Sequence, residues 1–93
     1  MNSRLYPGTA VHARIAHEIG RRIAGGDIGE GELIPRETEL QEEFSASRQA
    51  VREALKVLGA KGMIEARKRA GTFVRPRTSW HLLDPDVLES TVT

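Results

Sequence analysis

The sequence predicts an α+β fold that is mainly α, three helices followed by a two-stranded β hairpin, and three observations predict it. Apolar residues recur at every fourth position early in the chain, at Val11, Ile15, Ile19 and Ile23, which is the repeat of a single helix face. Two more helical patterns, one carrying Leu40 and Phe44 and the next Val51, Leu55 and Leu58, are separated only by Ser45, Ala46 and Ser47. Beyond Lys61 and Gly62 the apolar period falls to two in "MIEAR" and "TFVRP", at 63–67 and 72–76, and such alternation marks half-buried strands.

Each element has local reasons to start and stop. Residues 1–8, "MNSRLYPG", contain a Pro-Gly breaker and no periodicity, so they read as a flexible N-terminal arm. The first helix is expected over 9–24, with Thr9 as N-cap, Ala16 beside the apolar stripe, and Gly25-Gly26 ending it. A turn-rich link follows, in which Leu33 and Ile34 suit a very short strand before Pro35. The second helix, 36–44, is short and acidic, with Leu40 and Phe44 facing inward. Serines compete for backbone hydrogen bonds and favour caps, so Ser45 to Ser47 break the helix and Ser47 caps the third, which runs to Ala60. Val51, Ala54, Leu55 and Leu58 form its expected buried stripe. The hairpin turns through Lys68, Arg69, Ala70 and Gly71. This order is that of a winged helix-turn-helix, which places the domain at 9–76. Residues 77–93 read as a linker whose tail from Trp80, with the apolar residues Leu82 and Leu83, is expected to be disordered or loosely docked.

A chain of 93 residues is one small domain of marginal stability. With no cysteine it has no disulfide, thiolate nucleophile or Cys-ligated zinc. No apolar run approaches the ~18 residues of a membrane span, and no signal-peptide core follows Met1, so a cytoplasmic location is expected. The net charge of +1 conceals a division. Residues 1–44 carry five basic and eight acidic groups, 45–77 carry nine basic and two acidic, and 78–93 carry three acidic and no basic. A cationic middle between acidic flanks says more about partners than about fold.

At 100° per residue, Arg48, Gln49, Arg52 and Lys56 fall in one arc of the third helix, turned away from the apolar stripe. Arg forks onto guanine O6/N7 and Gln pairs with adenine N6/N7 in a major groove. Ser47, at the helix N-terminus where N–H groups and partial positive charge gather, is placed to hold a phosphate. One basic helix face is as often a solvated surface. Two features move the balance: the preceding short helix stands at helix-turn-helix spacing, and Arg67, Lys68 and Arg69 sit together at the hairpin tip. A basic tip beside a basic helix can reach the neighbouring groove or backbone. Other constellations are weak. His12 and His17 do not share a helix face, His81 beside Asp84 is uninformative, and Glu37, Glu39, Glu42 and Glu43 read as a solvated face. No catalytic arrangement, metal set or cofactor motif is present, so neither enzyme activity nor a cofactor is expected. The alternative from another class is a winged-helix module that docks its basic face on an acidic protein.

Three stretches, "GELIPRETEL" at 31–40, "SRQAVREAL" at 47–55 and "GTFV" at 71–74, resemble those of the GntR-type winged helix-turn-helix domain of bacterial transcription regulators. The resemblance spans about 11–76. The tail "PRTSWHLLDPDVLES", 76–90, is similar to the linker of the FadR subfamily, and within it to regulators of sugar-acid use. The resemblance implies a repressor that binds double-stranded operator DNA, as an inverted repeat read by a dimer. A further C-terminal domain, absent here, would take a small carboxylated metabolite, and the isolated domain would be monomeric or weakly dimeric. The implied base-reading residues are Arg48, Gln49 and Arg52. Positioning on phosphates falls to Arg36, Thr38, Ser47 and Lys56, and the wing contributes Lys68, Arg69, Gly71 and Thr72. Many members carry Arg where Thr38 stands, with Arg36 the candidate replacement here, and many carry Gly at the wing tip where this chain has Arg69.

Overall fold

The fourfold apolar repeat folds into α1 (Val11–Ala24). Ile15, Ile19 and Ile23 are buried along one face, and Ala16 and Ala24 beside them keep that face narrow enough for close packing. The structure, a computed structural model, describes residues 11–80. The predicted cap Thr9, the arm 1–8 and the tail from His81 onward lie outside the described residues.

Helix α2 (Glu37–Phe44) begins one residue later than expected. Arg36 is extended, at φ −69° and ψ 158°, and its N–H donates to the Glu39 carboxylate at 2.8 Å, so the start is fastened from inside the helix. Leu40 and Phe44 are buried as expected. Ser45 then adopts the left-handed conformation at φ 50°, and the N–H of Ala46 returns to Gln41 O at 3.0 Å, which ends the helix abruptly. Ser47 caps α3 (Arg48–Ala60), its Oγ accepting from the Ala50 N–H at 3.1 Å. The three-residue turn between α2 and α3 thus holds one helix's C-cap, Ser45, and the next one's N-cap, Ser47, with Ala46 between them.

On α3, Val51, Ala54 and Leu58 are buried. Leu55 departs from the expected stripe: it is only partly buried. It lies at the edge of the apolar arc, where the helix surface turns from the core toward the hairpin. That hairpin pairs β1 (Ile64–Arg67) with β2 (Gly71–Val74), antiparallel, with Ile64 opposite Val74 and Arg67 opposite Gly71. The short strand expected before Pro35 is present as a bridge between Leu33 and Phe73. Ile34 donates to Thr72 O at 2.9 Å and Gly31 to Val74 O at 2.8 Å, so this segment pairs with the other edge of β2.

Met63, Ile64 and Val74 anchor the hairpin's base in a core shared with Ile15, Ile19, Ile23, Leu40, Val51 and Leu58. Each such side chain contributes roughly 1.5–3 kcal/mol by leaving water. Trp80 corrects the expectation of a loosely docked tail. It is 5% exposed, and its indole N–H donates to Arg75 O at 3.0 Å. Arg77 donates to Ala24 O at the end of α1, 2.5 Å away, and stacks 4.7 Å from the Trp80 ring. Gly62 makes this possible: at φ 76°, a Cβ there would stand 2.2 Å from Ser79 O, so only glycine admits the 3-10 turn Arg77–Ser79. The packed unit therefore continues past residue 76 to Trp80.

Candidate nucleic-acid interface

The interface is built on the side of α3 that the core leaves bare. Because Val51, Ala54 and Leu58 pin one face inward, Arg48, Gln49, Arg52 and Lys56 are all driven outward. The side chains of Arg48, Arg52 and Lys56 are 67%, 56% and 76% exposed, which is what a surface waiting for a partner requires. Lys56 is near Glu53 at 3.4 Å, one helical turn away, a pair weak enough to yield to a phosphate. Ser47 keeps its oxygen on the Ala50 N–H while its hydroxyl proton remains available for donation.

Glu37 is the residue that sequence reasoning missed. Among the four glutamates expected to form a solvated face, it alone turns toward α3, where its carboxylate accepts from Arg52 Nε at 3.3 Å and stands 3.7 Å from Arg48 Nε. Both guanidiniums are thereby tethered at one edge before any partner arrives. The signal was faint: Glu37 opens α2 and Arg48 opens α3, and two helices joined by a three-residue turn bring their exposed N-terminal turns into range. Two of the other glutamates also have specific partners, Glu39 at the α2 start and Glu43 on Arg22. Arg36 and Thr38 are exposed at the start of α2, and no hydrogen bond or ion pair joins either side chain to α3 among the described residues.

The wing tip is a three-residue loop, 68–70. Arg69 sits at its apex with φ 68°, a left-handed conformation that disfavours side chains other than glycine, asparagine and aspartate. The residue is exposed there. Neither Lys68 nor Arg69 meets an acidic group among the described residues. Arg67 is used differently: it stacks 4.6 Å from the Phe73 ring and stands 3.9 Å from Glu65, so it stiffens the wing. Gly71, at φ 108°, closes the turn, and a Cβ there would stand 2.9 Å from Leu33 Cδ2. Thr72 is half-buried beside it.

Other arginines belong to the scaffold. Arg22 bridges Glu18, at 3.0 Å, and Glu43, tying α1 to α2. Arg14 donates to Phe44 O at 3.2 Å, and both Arg14 and Arg22 lie over the Phe44 ring, 5.4 and 5.7 Å from its centre. Hydrogen bonds from Arg21 foremost, and from Arg22, hold the Glu18 carboxyl down at about 2, with burial opposing. The Arg22 hydrogen bond likewise lowers Glu43.

What this surface offers chemically is two exposed guanidiniums, an amide and an ammonium on one face of α3, with further exposed cations at the wing tip. Residues 12–74 match the family described as bacterial regulatory proteins, gntR family. The chain belongs to the gntR family. It is 46% identical over 74 residues to the HTH-type transcriptional regulator YieP of Escherichia coli (strain K12), covering 80% of this chain and 32% of that protein. It is 43% identical over 76 residues to the galactonate operon transcriptional repressor of the same organism, covering 82% and 33%. The chain thus spans about a third of the length of these gntR-family relatives. Among solved structures, AraR(DBD) in complex with operator ORR3 matches with a TM-score of 0.67 at 34% identity, over 69% of this chain and 77% of that one. Three helices with a two-stranded antiparallel wing are the winged helix-turn-helix architecture expected from the sequence.

Proposed function

We propose that this chain is the sequence-specific DNA-binding unit of a metabolite-responsive transcription repressor, acting in the cytoplasm on double-stranded operator DNA. The observation that carries this is the exposed cationic face of α3 standing next to a wing whose tip cations lack acidic partners among the described residues. A related domain solved on operator DNA supports it. Arg48 and Arg52 contact bases, Gln49 tunes preference, and Ser47, Arg36, Thr38, Lys56, Lys68 and Arg69 hold the backbone, with Gly71 and Thr72 shaping the wing. The likeness to a galactonate operon repressor favours control of a sugar-acid operon in the FadR subfamily. A small carboxylated effector would then bind a separate domain, and a dimer would read an inverted repeat.

The test begins with duplexes selected by this chain from a random pool. Arg48→Ala and Arg52→Ala should each cost about 1–3 kcal/mol on the selected site. Two variants that bind selected and scrambled duplex as the parent does would remove α3 from the interface. The slope of log K against log salt should show about −0.9 for each phosphate neutralised. A slope near zero on every duplex would point instead to an acidic protein partner.

A further inference from the structure

The wing has one open edge. Thr72 and Val74 of β2 direct their backbone groups to the segment 31–34, since Ile34 donates to Thr72 O, Val74 to Glu32 O and Gly31 to Val74 O. Hydrogen bonding alternates sides along an antiparallel strand, so Gly71 and Phe73 face β1, where their partners are Arg67 and Glu65. One step further on, Arg75 donates to Met63 O at 2.9 Å. Ile64 and Ala66 therefore turn their N–H and C=O groups to the outer side of β1, where no backbone partner meets them among the described residues. Edge strands are ordinarily guarded by charge, and Glu65, Arg67 and Lys68 are exposed here. A guard of a single sign repels any like strand. In this one an acid and a base stand two residues apart with an exposed alanine between them, an order that is its own complement when read backwards.

We infer that β1 pairs with β1 of a second copy of this chain, antiparallel about a two-fold axis at Ala66. The inference goes beyond DNA binding and does not depend on it. In this register the two Ala66 residues exchange both backbone hydrogen bonds, Glu65 stands opposite the second copy's Arg67, and Arg67 opposite its Glu65. Charge chooses the register. Moving the axis to Glu65 would set two carboxylates against each other, and like charges directly opposite are destabilising. Within one copy Glu65 is 3.9 Å from Arg67 and 4.0 Å from Arg75, contacts long enough to be shared across the axis. There is room at the base of the wing, where Ile64 shares an open groove with Leu55 and Gly59 of α3, and a Cβ at Gly59 would meet nothing within 4 Å. The axis between two antiparallel strands is perpendicular to the sheet, so both α3 helices lie over the same face of the joined sheet. So short a pairing buries well under the ~1,200 Å² of a stable interface, which makes the dimer weak and reversible.

Sedimentation equilibrium in the absence of DNA reads the association directly, and the parent should dimerise with a Kd on the order of 1 mM. Ala66→Pro removes the N–H on the open side and leaves the bonds to β2 in place, so it should abolish the dimer at an unchanged circular-dichroism spectrum. Glu65→Arg and Arg67→Glu each set like charges opposite one another and should each weaken the dimer about tenfold. The two together should restore it, which damage to the wing would not. Oxidation gives a further reading. The paired Ala66 Cα atoms stand roughly 5.5 Å apart, within disulfide range, so Ala66→Cys should form a covalent dimer at dilutions where Arg21→Cys, on exposed α1 surface, stays monomeric. A parent that is monomeric at every concentration, a dimer that survives Ala66→Pro, or a double variant as weak as either single one overturns the inference. None of these results bears on DNA binding, which the selected duplexes test separately.

Discussion

Arginine does opposite work in two regions of this molecule. On the α1–α2 side, the Arg22 side chain is 23% exposed, ion-paired to Glu18 and Glu43, and laid over Phe44. On α3, Arg48 and Arg52 are 67% and 56% exposed and share a single carboxylate. The first arrangement satisfies a cation within the protein and lowers the pKa of its acidic partners; the second leaves most donor positions of both forks available. Guanidinium groups are therefore not interchangeable evidence of a nucleic-acid surface. What separates them is whether neighbouring elements have already supplied the anion.

That contrast can be broken most forcefully from the scaffold side. Trp80→Ala removes the largest side chain packed under the exit of the wing and should cost about 3 kcal/mol of stability, read by chemical denaturation. An unchanged midpoint would put Trp80 outside the folded unit. Next in size, Arg22→Met keeps the stem over Phe44 but deletes both ion pairs. It should cost about 1 kcal/mol of stability and leave affinity for the selected duplex unchanged. A loss of binding equal to that of Arg52→Ala would erase the distinction between the two regions.

The same pairs set an acid limit. Glu18 and Glu43 have folded pKa values below their ordinary value of 4.5, Glu18 at about 2. Their contribution is whole above the ordinary value and is lost as pH falls through the folded one. Thermal stability should therefore decline from about pH 4.5 toward pH 2, where Glu18 titrates, and less steeply in Arg22→Met. An identical decline in that variant would assign the acid sensitivity elsewhere. The smallest effect concerns the interface. Glu37→Gln frees Arg48 and Arg52 and removes an anion facing DNA, so binding to scrambled duplex should tighten by roughly 0.5 kcal/mol while discrimination falls. Tighter binding to the selected site alone would contradict a positioning role for Glu37.

Much of the fold was legible because its signals are local. The isoleucine spacing of α1, the Ser47 cap, the change of period after Gly62 and the turn chemistry at Lys68 to Gly71 each act within about four residues of chain. The cationic arc of α3 was legible for the same reason, since a helix wheel needs only its own sequence. Leu55 shows where that ends. The wheel places it at the margin of the apolar arc, and only the position of the wing decides that its side chain lines a groove. Trp80 looked like part of a linker because no periodic pattern runs through it; its place is fixed where the chain folds back, with Arg75 O accepting from its indole, Arg77 stacked on its ring and the Gly62 backbone close against Ser79 and the Trp80 Cα. Arg69 was recognised as an unusual wing-tip residue, and its positive φ supplies the physical reason why glycine suits that position.

By itself, then, the sequence determined the helices, the wing, the caps and the apportioning of charge along the chain, all products of hydrogen bonds and periodicities that span a turn or two. Tertiary structure alone decided which cations were already engaged. Arg22 reaches Glu43 across 21 residues, Arg52 reaches Glu37 across 15, Arg14 reaches Phe44 across 30, and Arg77 reaches Ala24 across 53. The first three of those pairs meet because buried faces fix how α1, α2 and α3 cross, and the fourth because the chain beyond the wing packs back on the end of α1. Crossing geometry is set by the packing of the whole core rather than by any segment of it.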